Sequence, residues 1–315
     1  MSPPALSVCL ALATVALAAA AGHVCVALAS SVASRAVWGR LGARTRASLL
    51  VQARLAPLTL ALVGVPLVQV AFWRFEPAHQ SEPVGAVLPL LAIAGIGVLA
   101  LAARRAWVSL WATRRVARTW RRAGVRAHID GWQGPAWIVR TPFPIVAVVG
   151  VGRAELYVAH TVLGACDAAE MAAIAAHERA HVAGHDNLTR LLFALAPAAG
   201  RAAARVERQW AATAEEIADV QARATGDGVT LAQALTKVAR LAAGAPLSPP
   251  LAMSALIGDE CLEGRVRRLL EPAQQPGAVL RGWPTAAVVP VALAAANWGL
   301  PAIYDATEFL VKLGR

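Results

Sequence analysis

The sequence predicts an α+β membrane protein: four transmembrane helices, with a mostly helical domain carrying a small β-sheet inserted between the third and the fourth. Three observations predict it. Of 315 residues 57% are hydrophobic and only 16% charged, with a mean hydropathy of +0.53, too apolar for an ordinary soluble domain of that length. Four apolar stretches reach the length that crosses a hydrocarbon core, about 20 residues. Between the third and fourth lies a block of domain size, 104–283, in which short β-prone runs precede longer helix-forming ones.

The first stretch, 5–29, contains no Asp, Glu, Lys or Arg. "MSPP" before it has no basic residue, and the run is longer than the apolar part of a signal peptide, so it reads as a span. "LAPLTLALVGVPLVQVAFW" (55–73) is the second span and "VGAVLPLLAIAGIGVLALAA" (84–103) the third, which completes a unit over 1–103. "PTAAVVPVALAAANWGLPAIY" (284–304) is the fourth and opens the last unit, 284–315. Its prolines are tolerable in a membrane helix packed on neighbours.

Arginine sets the expected direction. Arg35, Arg40, Arg44, Arg46 and Arg54 fall between spans one and two, but only Arg74, beside Glu76 and Glu82, between two and three. Arg104, Arg105, Arg114, Arg115, Arg118, Arg121, Arg122 and Arg126 follow span three. Positive loops stay inside, so both termini are expected outside the cell membrane and the block 104–283 in the cytoplasm. Most of the excess behind the net charge of +11 is then assigned to the bilayer surface, and no direct nucleic-acid binding is expected. Cys9, Cys25, Cys166 and Cys261 form no CxxC pair and no disulfide framework, and carry no assigned role.

Within the block, "AWIVR" (136–140), "PIVAVVG" (144–150) and "AELYVA" (154–159) predict a small sheet with hairpin-like connections. Asp167 with Glu170 three residues on predicts a capping box opening a helix through "DAAEMAAIAAHERAH". Further helices follow through "NLTRLLFALAPAAGRAAARVERQWAATAEEIADVQARATG", broken near Pro197–Gly200 and ended around Gly226. "TLAQALTKVARLAAG" and "GDECLEGRVRRLLEP" predict two more, with "GAPLSPP" (244–250) as a loop.

The chemistry concentrates in "HERAH". His177 and His181 lie one helical turn apart on one face, so both imidazoles reach a single ion. Catalytic zinc takes such nitrogens and keeps a position open for water. Glu178 points beside that ion, placed to take the water's proton, and zinc brings that water's pKa to near 7. A third ligand is needed. His185 is eight residues past His177, about 12 Å along a helix, too far to share the ion unless the helix breaks. The pattern HExxHxxGxxH fails as well, because Asn187 stands where its third histidine belongs. "TAEEIADVQA" offers a carboxylate: Glu215 and Asp219 share a face, so Glu215 is expected to ligate while Asp219 bonds a ligand imidazole. Glu216 is rotated away and expected in solvent. Arg265 has two readings, a donor to a developing oxyanion or a structural partner of acidic helices.

"HERAHVAGHDN", "NLTRLLFALAP" and "EEIADVQARATG", preceded by three spans and followed by one, resemble the M56 family of membrane metallopeptidases, the protease modules of β-lactam and methicillin-resistance sensor-transducers. The resemblance covers the topology and roughly residues 130–275. It implies a gluzincin-like fold, zinc held by His177, His181 and Glu215, Glu178 as general base, and Asp186 and Asp219 supporting the site. It also implies a protein or peptide substrate: a cytosolic winged-helix repressor, or the protease itself. One of the runs 144–150 or 154–159 is expected to hold that substrate by edge pairing. The related M48 processing peptidases share HExxH and a motif similar to "EEIAD", but usually divide their spans differently around the catalytic block, which makes them the second reading. A membrane signalling scaffold with a structural zinc is the third. The extracellular penicillin-binding domain of the sensor-transducers has no counterpart in "DATEFLVKLGR" after the fourth span, so direct β-lactam sensing is not expected.

Overall fold

A computed structural model describes residues 1–32, 36–76, 83–197, 200–243, 254–255, 262–271 and 285–314. Among the described residues three helices are long and apolar enough to cross a membrane: α1 (Pro3–Val32), α2 (Ala43–Phe75) and α3 (Val87–Ala123). They mark a membrane protein. Two of them outrun the expected spans. α2 starts well before residue 55 and carries Arg44, Arg46 and Arg54, and α3 continues past residue 103 through Arg122. Of the arginines assigned to loops, Arg44, Arg46, Arg54, Arg74 and those from Arg104 to Arg122 therefore ride on these helices, while Arg126 lies in the strand Gly124–Ala127. The reason is local: Ala, Leu and Arg keep strong helix propensity where the apolar run stops. At 33 and 37 residues both helices exceed the roughly 30 Å of hydrocarbon that about 20 residues cover. The fourth expected span coincides with a helix over Thr285–Lys312; the side chains of 285–298, and residue 284 altogether, lie outside the described residues. The loop expected at 244–250 lies outside them too.

The chain then builds the sheet. β1 (Gly124–Ala127) and β2 (Ala136–Val139) are antiparallel, β2 and β4 (Glu155–Ala159) parallel, β4 and β3 (Val146–Val149) antiparallel. A two-residue β5 (Ser254–Ala255) pairs with Ala147 and Val148 of β3. Only β3–β4 is a hairpin between expected strands, closed at Gly150, whose φ of 116° belongs to glycine. β2 and β3 do not pair; β4 comes between them, in the order β1-β2-β4-β3-β5. The run 154–159 is thus interior and lends no edge to a substrate, since both its sides are already hydrogen-bonded.

Helices follow: α4 (His160–Ala165), α5 (Ala168–Ala183), α6 (Asp186–Leu195), α7 (Arg201–Thr225), α8 (Gly228–Ala243) and α9 (Leu262–Leu270); the helix over Thr285–Lys312 is α10. Three buried clusters organise the described residues. The sheet, α5 and α8 share one, with Tyr157, Ile174 and Leu235 at its centre. A second joins Val26 of α1 and Leu50 of α2 to Phe193 of α6 and Val206, Trp210 and Ala214 of α7. The third gathers Leu6 of α1, Phe72 of α2, Leu88 of α3 and Val311 of α10, toward the other ends of α1 and α2.

Candidate metal centre

α5 opens with the expected capping box. The Asp167 carboxylate accepts from the Glu170 N–H at 2.9 Å, and the Glu170 carboxylate accepts from the Asp167 N–H at 2.8 Å. Alanines along α5 let the helix sink into the core, so His177 and Glu178 are 0% exposed and His181 3%. The helix ends at Ala183, and His185 takes a left-handed φ of 56°. That turn is tight: a Cβ on Gly184 would stand 2.9 Å from Asp186 Oδ1. It brings Asp186 back under α5, where His181 Nδ1 donates to Asp186 Oδ2 at 2.6 Å. His185 itself is exposed and outside the cluster. Asn187 donates to the carbonyls of Val148 and Gly150 and ties α6 to the end of β3.

α7 supplies the carboxylates. Glu215 Oε2 is 3.3 Å from His177 Nε2 and Oε1 is 3.5 Å from His181 Nε2, while the two Nε2 atoms are 3.1 Å apart. One ligand atom from each of the three residues falls within 4.8 Å of the others, the spread of donors around one ion. Asp219 Oδ1 lies 3.0 Å from His177 Nδ1, close enough to pair but off the line of a good hydrogen bond. Arg265 of α9 donates through Nε and Nη2 to Asp219, at 3.0 and 2.7 Å, and its Nη1 is 3.1 Å from Glu215 Oε2. The expected residues thus converge in one buried cluster. Glu216 departs from expectation: it is not left to solvent but chelated by Arg46 Nη2, 2.7 Å from each carboxylate oxygen. The sequence reading missed Arg46 and Arg54, which lie far from the site along the chain and whose role depends on the packing of α2 against α7.

The electrostatics fit a cation. With each Nδ1 facing a carboxylate, the tautomers that turn both Nε2 lone pairs inward are favoured. Two lone pairs and the Glu215 carboxylate then face one another in a buried space, an arrangement stable only around positive charge. Without metal the charge comes from protons. Burial opposes protonation of His181, yet the Asp186 and Glu215 carboxylates outweigh it and push its pKa up to about 10. His177 is likewise shifted upward, by Asp219 and Glu215 against the cost of burial. Burial works against the ionised form of Glu215 too, but the two histidines hold it well below the usual carboxylate range. Two imidazole nitrogens and one carboxylate are the donor set of a His₂Glu zinc site. Glu178 is the odd member. Both its oxygens are buried without a hydrogen-bond partner, and desolvation, partly offset by the two histidines, raises its pKa to about 7.

No curated protein and no solved structure matches the chain. A family model does match, and it is that of the second family the sequence resembles, not the first. Residues 146–245, from β3 through α8 and so including both histidines, Glu178 and Glu215, are similar to Peptidase family M48.

Proposed function

We propose that the protein is a membrane-anchored zinc endopeptidase whose active site faces the cytoplasm. The observation that carries the reading is the pairing of a three-residue donor cluster, His177, His181 and Glu215, with an adjacent buried carboxyl, Glu178, that has no protein partner. A structural metal site has no need of such a base, which argues against a scaffold. The chemistry that zinc supplies when held by these residues is Lewis acidity toward a water and a peptide carbonyl. Glu178 accepts the proton of that water and returns it to the leaving amine; a carboxyl with its pKa raised to about 7 suits both steps. Asp186 and Asp219 fix the rings. Arg265, committed to Asp219 and Glu215, steadies the carboxylates rather than serving an oxyanion.

The cytoplasmic side is supported by arginine: Arg46 and Arg54 lie on the part of α2 that packs on α7, and Arg104 to Arg122 on the part of α3 leading into β1. For substrate we favour the M56-like role, cutting a cytosolic winged-helix repressor or the protease itself. Self-cleavage gains support from β5, a stretch of this chain lying along the edge of β3 that an extended substrate would take. The M48-like reading, a processing or quality-control peptidase for membrane proteins, is supported by the match over 146–245.

The test is cleavage of candidate cytosolic repressors and of membrane-protein substrates by the purified chain and by Glu178→Gln, with zinc measured in both. We expect equal zinc and a rate lower by about 10²–10⁴-fold in the variant, the usual contribution of a general base. Full activity in Glu178→Gln contradicts the proposal.

A further inference from the structure

α7 presents carboxylates on two faces. Glu215 and Asp219 face the histidines of α5. Glu207 and Glu216 face α2, one of the three helices able to cross a membrane. The pairing runs antiparallel: Arg46 meets Glu216, and Arg54, two helical turns on, meets Glu207 at 2.7 Å. Leu50 lies between them and packs in the cluster with Val206, Trp210 and Ala214. Arg54 is 0% exposed, and its guanidinium also donates to the carbonyls of Phe193 and Ala196. Those carbonyls end α6, the helix that begins with Asp186. One arginine of α2 therefore fastens both helices that bring carboxylates to the histidines.

We infer that α2 belongs to the frame of the metal centre, with Arg46 and Arg54 as positioning residues that set where α7, and with it Glu215, stands against His177 and His181. The inference rests on the reading of those three residues as a zinc site. α7 runs unbroken over Arg201–Thr225 with no glycine or proline inside, so it moves as a rod. Metal–ligand distances hold to about ±0.2 Å; a rod displaced by a few tenths of an ångström takes Glu215 out of coordination. Arg46 pairs with the residue next to the ligand, so its loss is felt first at Glu215. A shift or rotation of the membrane helix reaches the metal by the same path.

The test uses the full chain in lipid nanodiscs. Arg46 and Glu216 are partly exposed, at 19% and 27% of their side chains, so both can be reversed without burying an unpaired charge. Zinc affinity by chelator competition and the visible spectrum of the cobalt(II)-substituted protein are recorded for the unaltered chain, His177→Ala, Arg46→Glu, Glu216→Arg and the double reversal. Each single reversal is expected to weaken zinc about tenfold, the lower end for supporting residues of metal ligands, and to shift the cobalt bands. The double reversal is expected to restore affinity and spectrum. Arg46→Gln, which removes the charge without reversing it, gives the same result in weaker form should a reversal not fold. Single variants with unaltered affinity and spectrum, or a double reversal no better than either single, overturn the inference. An unaltered chain that takes up no zinc, or His177→Ala that keeps it, overturns the zinc-site reading instead.

Discussion

Asp186 and Asp219 approach the two imidazoles from different helices, and each faces one Nδ1. They make the metal-free site a trap for protons. His181, pushed up to about 10 by the Asp186 and Glu215 carboxylates, is protonated at neutral pH in the absence of metal, and an imidazolium cannot ligate; His177 is shifted in the same direction by Asp219 and Glu215. Metal uptake must therefore displace protons. The sign follows: raising the pH removes the competitor, so zinc affinity climbs by about tenfold per pH unit for each proton displaced. Chelator competition between pH 6 and pH 9 checks this, and an affinity flat across that range contradicts it. At this scale most of the site was legible. His177, Glu178 and His181 share one helix, so their spacing alone fixes their mutual geometry, and Glu215 with Asp219 repeats the argument on a second helix. Asp186 was reachable only by resemblance, because its approach depends on a left-handed turn at His185 that no periodicity announces. Arg265 was legible as a residue but not in its partners, Asp219 and Glu215, which come from 46 and 50 residues away along the chain.

α5 is the element on which the site depends, and its start is fixed by chemistry that the sequence displays openly. The Asp167–Glu170 capping box satisfies two N–H groups that the first turn otherwise leaves without partners. Lys237 of α8 adds an ion pair to Glu170 at 2.7 Å. Asp167→Ala is expected to cost about 1 kcal/mol of stability, read by chemical denaturation in detergent, with zinc content unchanged. A variant as stable as the unaltered protein shows that the cap is redundant. Helix identity was readable from α5 onward, from propensity and from breaks such as Pro197–Gly200, but the short α4 (His160–Ala165) was not expected. Helix length was not, for α2 and α3: apolarity stops at the bilayer edge, whereas helix propensity carries on through Arg and Ala. Strand order was hidden for another reason. Three β-prone runs in succession suggest a meander, and only the packing of the whole sheet decides that β4 lies between β2 and β3.

The whole molecule does not divide where the hydropathy does. The expected cytoplasmic block, 104–283, leaves out Val26 and Leu50, which share a buried cluster with Phe193, Val206 and Trp210, and Arg54, which is buried against α6 and α7. A fragment limited to 104–283 exposes that apolar face and strips the acceptors of Arg54 of their donor. It is expected to aggregate or to purify poor in zinc; a monomeric fragment with one zinc per chain contradicts this account of the packing. The three helices long and apolar enough to cross a membrane were legible from composition. The contact of α1 and α2 with α6 and α7 was not, because it joins residues more than a hundred positions apart.

Zinc K-edge X-ray absorption on the purified full-length protein tests the central claim most directly. The account predicts one zinc per chain with two imidazole nitrogens and a carboxylate oxygen at about 2.0–2.2 Å, and loss of the oxygen ligand or of the metal in Glu215→Ala. Sulfur in the coordination shell, or a spectrum and zinc content unaltered by Glu215→Ala, would contradict it.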